Sequence, residues 1–373
     1  MSDTWISFNG NALSLNGYGL VVRDQNPYNP LNLPAYTVRF QFDDSAYDPT
    51  QESGWKAGSA WTRVSTSPNI WDYYTGTDAQ PTNSAYQGTF YNKFNNNANT
   101  VRVLGAYLPP LPSPRPNDGR TFFSACSALL STGKLDLSGF NHLGGTFQSC
   151  VHLSTVDDIY AINANGFGET FRDCTSLILA PNITFGNNLS TTAGMFRDCR
   201  SLTTVNLFDT SNVTSFQYMF GGCSSLATVP LFDTSNGTNF NNMLSKCSSL
   251  QTVPLFDTSK ATDTSYMFYL CTALNTSPLL NTTRVTNFTS MYTDCREMTN
   301  VPLLDTSNAI DVHSMFYGCH KVQSGALAMY NQMSSQTYPP TTYNNCFSQC
   351  GISTVTGTQE LAQIPTSWGG MMA

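Results

Sequence analysis

A chain of 373 residues is long enough for two or three domains, yet only 11% of its residues are charged and the formal net charge is −7. No basic run occurs, which excludes the clustered Lys and Arg that a phosphate backbone requires, and no nucleic-acid partner is expected. No stretch approaches the ~18 apolar residues of a helical span, and Met1-Ser2-Asp3-Thr4-Trp5 lacks the basic and apolar regions of a secretory signal, so neither membrane insertion nor such a leader is predicted.

Residues 1–85 carry short alternating runs, Thr37-Val38-Arg39-Phe40-Gln41-Phe42 being the clearest, with turn signals at Asn9-Gly10 and Asn16-Gly17. They predict a small β-rich domain of hairpins. Four of the five tryptophans fall here: Trp5, Trp55, Trp61 and Trp71. Their ordinary role is a core. The sharper alternative is a carbohydrate- or partner-stacking surface, such as an attachment or oligomerisation interface, with Trp55, Trp61, Trp71, Tyr73 and Tyr74 as its candidate residues, because Trp and Tyr are enriched at interfaces. Residues 86–118 read as a degenerate first repeat, Phe94-x-x-Asn97 with Val103 following, and then a Pro-rich extended connector, Pro109 to Pro116.

From 119 to 323 the chain is periodic. Cysteines stand at 126, 150, 174, 199, 223, 247, 271, 295 and 319, with every spacing 24 residues except one of 25. Such a period marks a solenoid or an array. Phe (Leu244 and Tyr292 excepted) precedes each cysteine by three residues, and Leu, Met298 or Val322 follows by three. Met-Phe-x-x-Cys-x-x-Leu predicts a short helix or helical turn. Leu226-Ala-Thr-Val229-Pro-Leu231 has the inward pattern of one strand, so parallel strands are predicted at Leu202–Leu207, Leu226–Leu231, Leu250–Leu255 and Met298–Leu303. Asp233-Thr234-Ser235-Asn236 supplies the turn that closes the coil. One unit's buried side chains would gain about 8–15 kcal/mol, less than the ~1–2 kcal/mol per residue needed to order its backbone, so stacking is obligatory.

The runs from Met195 to Val322, such as Met219-Phe220-Gly-Gly-Cys223-Ser-Ser-Leu226 and Val253-Pro254-Leu255-Phe256-Asp257-Thr258-Ser259, resemble the cysteine-containing leucine-rich repeats of BspA-type bacterial surface proteins, a type similar also to proteins of gut bacteria and their phages. The resemblance implies a leucine-rich-repeat solenoid used for adhesion or recognition and not for catalysis. The first three units lack the Met and the Pro-Leu-Phe-Asp-Thr-Ser run, which suggests an irregular or capping end. Residues 324–373, with a helical Ala326 to Met333, a last Phe347-x-x-Cys350 and Trp368, read as a C-terminal cap.

In leucine-rich solenoids the residues between the inward strand positions face partners. Here these are Thr204, Asn206, Thr228, Pro230, Thr252, Pro254, Thr276, Pro278, Asn300 and Pro302, set against the plainer alternative of a passive surface. The cysteines are expected to be buried free thiols, since each sits beside Phe and Leu at an equivalent place in its coil, with disulfides or a metal site as the alternatives and Cys346 and Cys350 as the one locally spaced pair. The Asp209, Asp233, Asp257 and Asp305 column is expected to cap turns, with calcium binding the alternative. His320 beside Cys319 is a weak catalytic pair because neighbours usually point apart. No catalytic residue, metal or cofactor is expected. The chain is therefore expected to be a non-enzymatic, virion-associated phage protein of a tail or head appendage, with a bacterial cell-surface adhesin as the alternative. Its partners would be other virion proteins, a host-surface glycan or protein, and further copies of itself.

Overall fold

The computed structural model describes residues 31–51, 60–74, 101–108 and 119–371, with residues 29 and 90 and the backbone of three N-terminal strands. Those strands, β1 (Trp5–Phe8), β2 (Asn11–Asn16) and β3 (Gly19–Arg23), form an antiparallel meander. Phe8 pairs with Asn11 and Asn16 with Gly19, so both connections fall where the Asn-Gly signals predict them.

The second sheet begins with β4 (Thr37–Phe42), β5 (Ala60–Thr66), β6 (Asn69–Tyr74) and β7 (Val101–Tyr107), in the antiparallel order β5-β6-β4-β7. The alternation in β4 turns Val38, Phe40 and Phe42 into the core. Arg39 lies directly opposite Asp72 and grips its carboxylate at 2.7 and 2.8 Å. Beyond β7 the sheet turns parallel. β8 (Leu129–Thr132) and β9 (Leu135–Asp136) pair with β7, β10 (Thr155–Val156) pairs with β8, β11 (Ile159–Ala161) with β9, and β12 (Ile183–Phe185) with β11. One continuous hydrophobic core runs from Val38 to Trp368.

The units expected to be irregular thus hold the regular parallel strands, and the strands expected at Leu202–Leu207, Leu226–Leu231, Leu250–Leu255 and Met298–Leu303 do not form. In three of the four, proline is the reason, since Pro230, Pro254 and Pro302 bring no N–H to a ladder; Leu202–Leu207 has no proline and retains the single bridge of Thr204 to Leu179. The carbonyls of the same three prolines instead accept from Phe232, Phe256 and Leu304, each at 3.0 Å. These are bonds between residues two apart, which make Leu231, Leu255 and Leu303 the centres of γ-turns. Parallel contact persists as single bridges elsewhere in the coil, in a column that runs through Thr191, Ser215, Asn239, Asp263, Asn287 and Asp311 to Thr342.

The Met-Phe-x-x-Cys segment is not helical either. Ten successive coils each contain two residues with positive φ, five and one before the cysteine, as in Gly194 and Asp198 or Asn242 and Lys246. Each is the third residue of a tight turn; in one coil Met195 N–H reaches the Thr192 carbonyl at 3.0 Å and Cys199 N–H reaches Phe196 at 3.1 Å. The intervening N–H groups of Gly194, Phe196 and Asp198 donate to Gln217, Met219 and Gly221 of the next coil at 2.7, 2.9 and 2.7 Å. A helix would spend every N–H inside itself. Alternating turns spend half of them on the neighbour, which offsets a cost of roughly 1–3 kcal/mol for each non-glycine left-handed residue.

Inside the stack, Phe90, Phe123, Phe147, Phe171, Phe196 and Phe220 lie face over face at 5.2–5.7 Å and within 9° of parallel. Phe90 therefore takes the first aromatic position; Phe94 and Asn97, expected there, lie outside the described residues, as does the Pro109–Pro116 stretch. The stack resumes after Leu244 with Phe268, Tyr292, Phe316 and Phe347, so Phe347-x-x-Cys350 is a further coil. α1 (Ala326–Ser334) and α2 (Val355–Leu361) close the end. Glu360 of α2 accepts from Gly325 and Leu327 N–H at the start of α1, a terminus with no cap of its own. Gln332 of α1 donates to the Leu304 carbonyl and the Thr306 hydroxyl, groups left open by the last regular coil.

Candidate recognition surface

In three coils a γ-turn sets which side chain reaches solvent. In a strand Val229 and Leu231 would share a face. The turn instead sends Val229 and Phe232 inward and leaves Leu231 outside. The same exposure recurs along the stack: Leu207, Leu231, Leu255, Leu279 and Leu303 are 54–65% exposed, one per coil at 24-residue intervals, above buried Phe208, Phe232, Phe256, Leu280 and Leu304. Leu231, read from the sequence as inward, is thus corrected to outward. The signal was present: in Pro-Leu-Phe two bulky apolar residues adjoin, and only one of a pair of neighbours can face the core.

Most of the predicted face flanks this row. Thr204, Thr228, Thr252, Thr276 and Asn300 are exposed, Asn206, Pro230, Pro254 and Pro278 are half-buried, and Pro302 is buried. On the other flank stand Asp209, Asp233, Asp257 and Asp305. Each carboxylate accepts the N–H two residues on, from Ser211, Ser235, Ser259 and Ser307, at 2.9–3.0 Å. These are Asx-turns, and the serine hydrogen bonds hold Asp233, Asp257 and Asp305 below the usual carboxylate range. Behind them lies a row that escaped sequence reading: Thr210, Thr234, Thr258 and Thr282 are buried, and each hydroxyl donates to the next coil's Asp or Asn carbonyl at 2.7–2.9 Å.

The cysteines have a similar inter-coil role. All eleven are free and buried. From Cys126 to Cys319 each thiol donates to the carbonyl of the column residue one coil back, at 3.0–3.2 Å; Cys223, for example, reaches Phe196. Cys fills a small apolar space and adds a donor that Ala and Val lack. Desolvation raises the thiols from Cys150 onward, Cys150 and Cys247 to about 12. Cys319 and His320 do not form a pair: the thiol faces the Tyr292 carbonyl, while the imidazole lies 3.3 Å from Gln349.

At the other end, Trp71 and Tyr73 are buried and Trp61 packs edge-on against both, so these three pack with the core. Tyr74 is exposed, and Trp55 lies outside the described residues.

Comparison with known proteins agrees with the repeat geometry. The model described as BspA type Leucine rich repeat region matches residues 122–227 in 6 copies, and that of a Mycoplasma protein of unknown function matches 190–300 and 277–330. A leucine rich repeat protein of T. pallidum is 16% identical over 54% of this chain and 85% of its own, with a TM-score of 0.30. One from Eubacterium ventriosum ATCC 27560 is 14% identical over 69% and 94%, with a TM-score of 0.33. No curated protein matches the chain. Over residues 122–227 the cysteine column and the first parallel bridges coincide with this match, and there the repeats are similar to BspA-type leucine-rich repeats.

Proposed function

We propose that the chain is a non-enzymatic recognition protein whose stacked coils act as a solenoid and present the leucine row to a protein partner at a surface. One observation carries this reading. Five leucines that repeat in register are 54–65% exposed while the apolar residue that follows each is buried. A contiguous apolar stripe rimmed by Thr and Asp is characteristic of an interaction face, whereas singly scattered exposed leucines would need no explanation. The flanking threonines and prolines form the rim, and the rigid stack pre-organises the row, which lowers the entropic cost of binding.

The BspA-type match supports a bacterial cell surface as the place of display. A phage tail or head appendage is the second placement within the same reading. Mass spectrometry of purified particles against envelope fractions separates the two. In either setting residues 1–85 would serve attachment or self-association. The direct test is the triple variant Leu231→Ser, Leu255→Ser, Leu279→Ser. Its stability should stay within about 0.5 kcal/mol per site of the parent, since all three are exposed. Binding of the labelled protein to intact bacterial cells and to their envelope fraction should fall at least tenfold, taking ~1.4 kcal/mol as one decade. Undiminished binding by the folded variant would overturn the reading.

A further inference from the structure

The turn side of the coils holds a second feature, apart from the leucine row. The two positions before each cysteine form a ladder of side chains: Arg172-Asp173, Arg197-Asp198, Ser245-Lys246, Tyr269-Leu270, Thr293-Asp294. In one coil alone of those from Cys126 to Cys319 both positions are glycine, Gly221 and Gly222. The missing rung leaves a notch of about 260 Å³ that spans four coils. Glycine is needed at its floor, where a side chain would press on the adjoining coils. A Cβ on Gly222 would come within 2.5 Å of Asp198 Oδ1, and one on Gly221 within 3.2 Å of Ser245 Oγ.

The walls are specific in kind. Tyr218 borders the notch, with the Arg197 guanidinium stacked over its ring at 4.5 Å. Tyr266 and Tyr269 make a corner opposite, their rings 5.6 Å apart and nearly perpendicular. Arg197 lies 3.5 Å from Asp198, which fixes both in place. Lys246 is held by its backbone to Tyr269, while its exposed ammonium forms no ion pair among the described residues. Asn242 and Ser245 complete the polar rim.

We propose that this notch binds one carboxylated pyranose, a sugar of the uronic-acid or sialic-acid type. Its volume lies just below the ~300–1,000 Å³ of sites for larger ligands, which suits a single ring. Tyrosine faces receive the C–H face of a pyranose, and Asp198, Asn242 and Ser245 offer acceptors and donors for its hydroxyls. The unpaired Lys246 places a positive charge at the rim, in a protein whose net charge of −7 otherwise repels anions. A neutral sugar would leave that ammonium unused.

The test titrates the full chain with glucuronate, its methyl β-glycoside and glucose, followed by saturation-transfer NMR. Glucuronate should bind saturably and glucose at least about tenfold more weakly, since one charge-assisted hydrogen bond is lost. Lys246→Glu should abolish the binding, while Lys260→Glu, at another exposed lysine, should not change it. Equal binding of the glycoside would assign the end of a glycan chain; binding of the free acid alone would assign a free sugar. The leucine triple variant should keep its sugar binding, so failure here is distinct from failure of the leucine row. Absence of saturable binding by all three probes, equal affinity for glucose, or parental affinity in a folded Lys246→Glu variant would overturn the proposal.

Discussion

Phe220→Ala tests whether the aromatic stack carries the stability of the repeats. The ring is fully buried, lies parallel to Phe196 at 5.7 Å and stacks on Phe232 at 5.9 Å. Removing a buried Phe side chain costs about 3–5 kcal/mol, the range depending on how far the site collapses. Collapse is restrained here. Phe220 N–H is bonded to Met243 of the next coil at 2.9 Å, and its carbonyl accepts from Cys223 N–H and from the Cys247 thiol. The backbone cannot move without breaking those bonds, so the cost should fall in the upper half, about 4–5 kcal/mol. Urea denaturation followed by circular dichroism measures it, with Phe220→Leu as the control. Leu244 holds the same column position one coil on, so leucine should cost clearly less than alanine. A loss under about 1 kcal/mol for alanine, or equal losses for both variants, would refute a stack that is both close-packed and rigid.

The thiols make a pH prediction. Burial raises the folded pKa of ten cysteines above the ordinary 9.0. A raised folded pKa means the native state holds the proton more tightly, so this stability is complete below pH 9 and is lost as pH climbs towards about 12. At ~1.4 kcal/mol per thiol per pH unit, the urea midpoint should stay level to about pH 9 and then drop steeply; a level midpoint to pH 11 would show that the thiols are hydrated. Thr234→Val should cost roughly 1–3 kcal/mol by orphaning the Asp257 carbonyl, 2.9 Å from the lost hydroxyl, while Thr234→Ser keeps the bond. A valine variant as stable as the parent would mean that water replaces the donor.

Much of the architecture was legible before any coordinates. A 24-residue period in Cys, Phe and Leu specifies units that bury the same positions repeatedly, and no single unit can do so alone. The helix read at Ala326 to Met333 appears as α1, Ala326–Ser334, because an apolar pattern at helical spacing needs nothing beyond its own neighbours. The Asp-x-Ser turns were equally local, each closed within three residues. These features depend on short-range chemistry, or on identity between coils, and both are written in the chain.

What tertiary structure alone decided was direction. Periodicity says that Leu231 recurs, not which way it points; the γ-turn at Pro230-Leu231-Phe232 made that choice. Likewise Tyr218 and Lys246 adopt left-handed φ with side chains that do not favour it. They do so because N–H groups around them must reach carbonyls about 23 residues away, in a coil that stacking alone brings within 3 Å. β7 is the same case in the sheet: its register joins antiparallel β4 to parallel β8 and β9, a junction that no local pattern marks. The Gly221-Gly222 notch exists only because coils before and after it stand close enough to wall it. A single sequence encodes which residues repeat. The facing of each one follows from turns within a coil and hydrogen bonds between coils, and the latter form only when the stack exists.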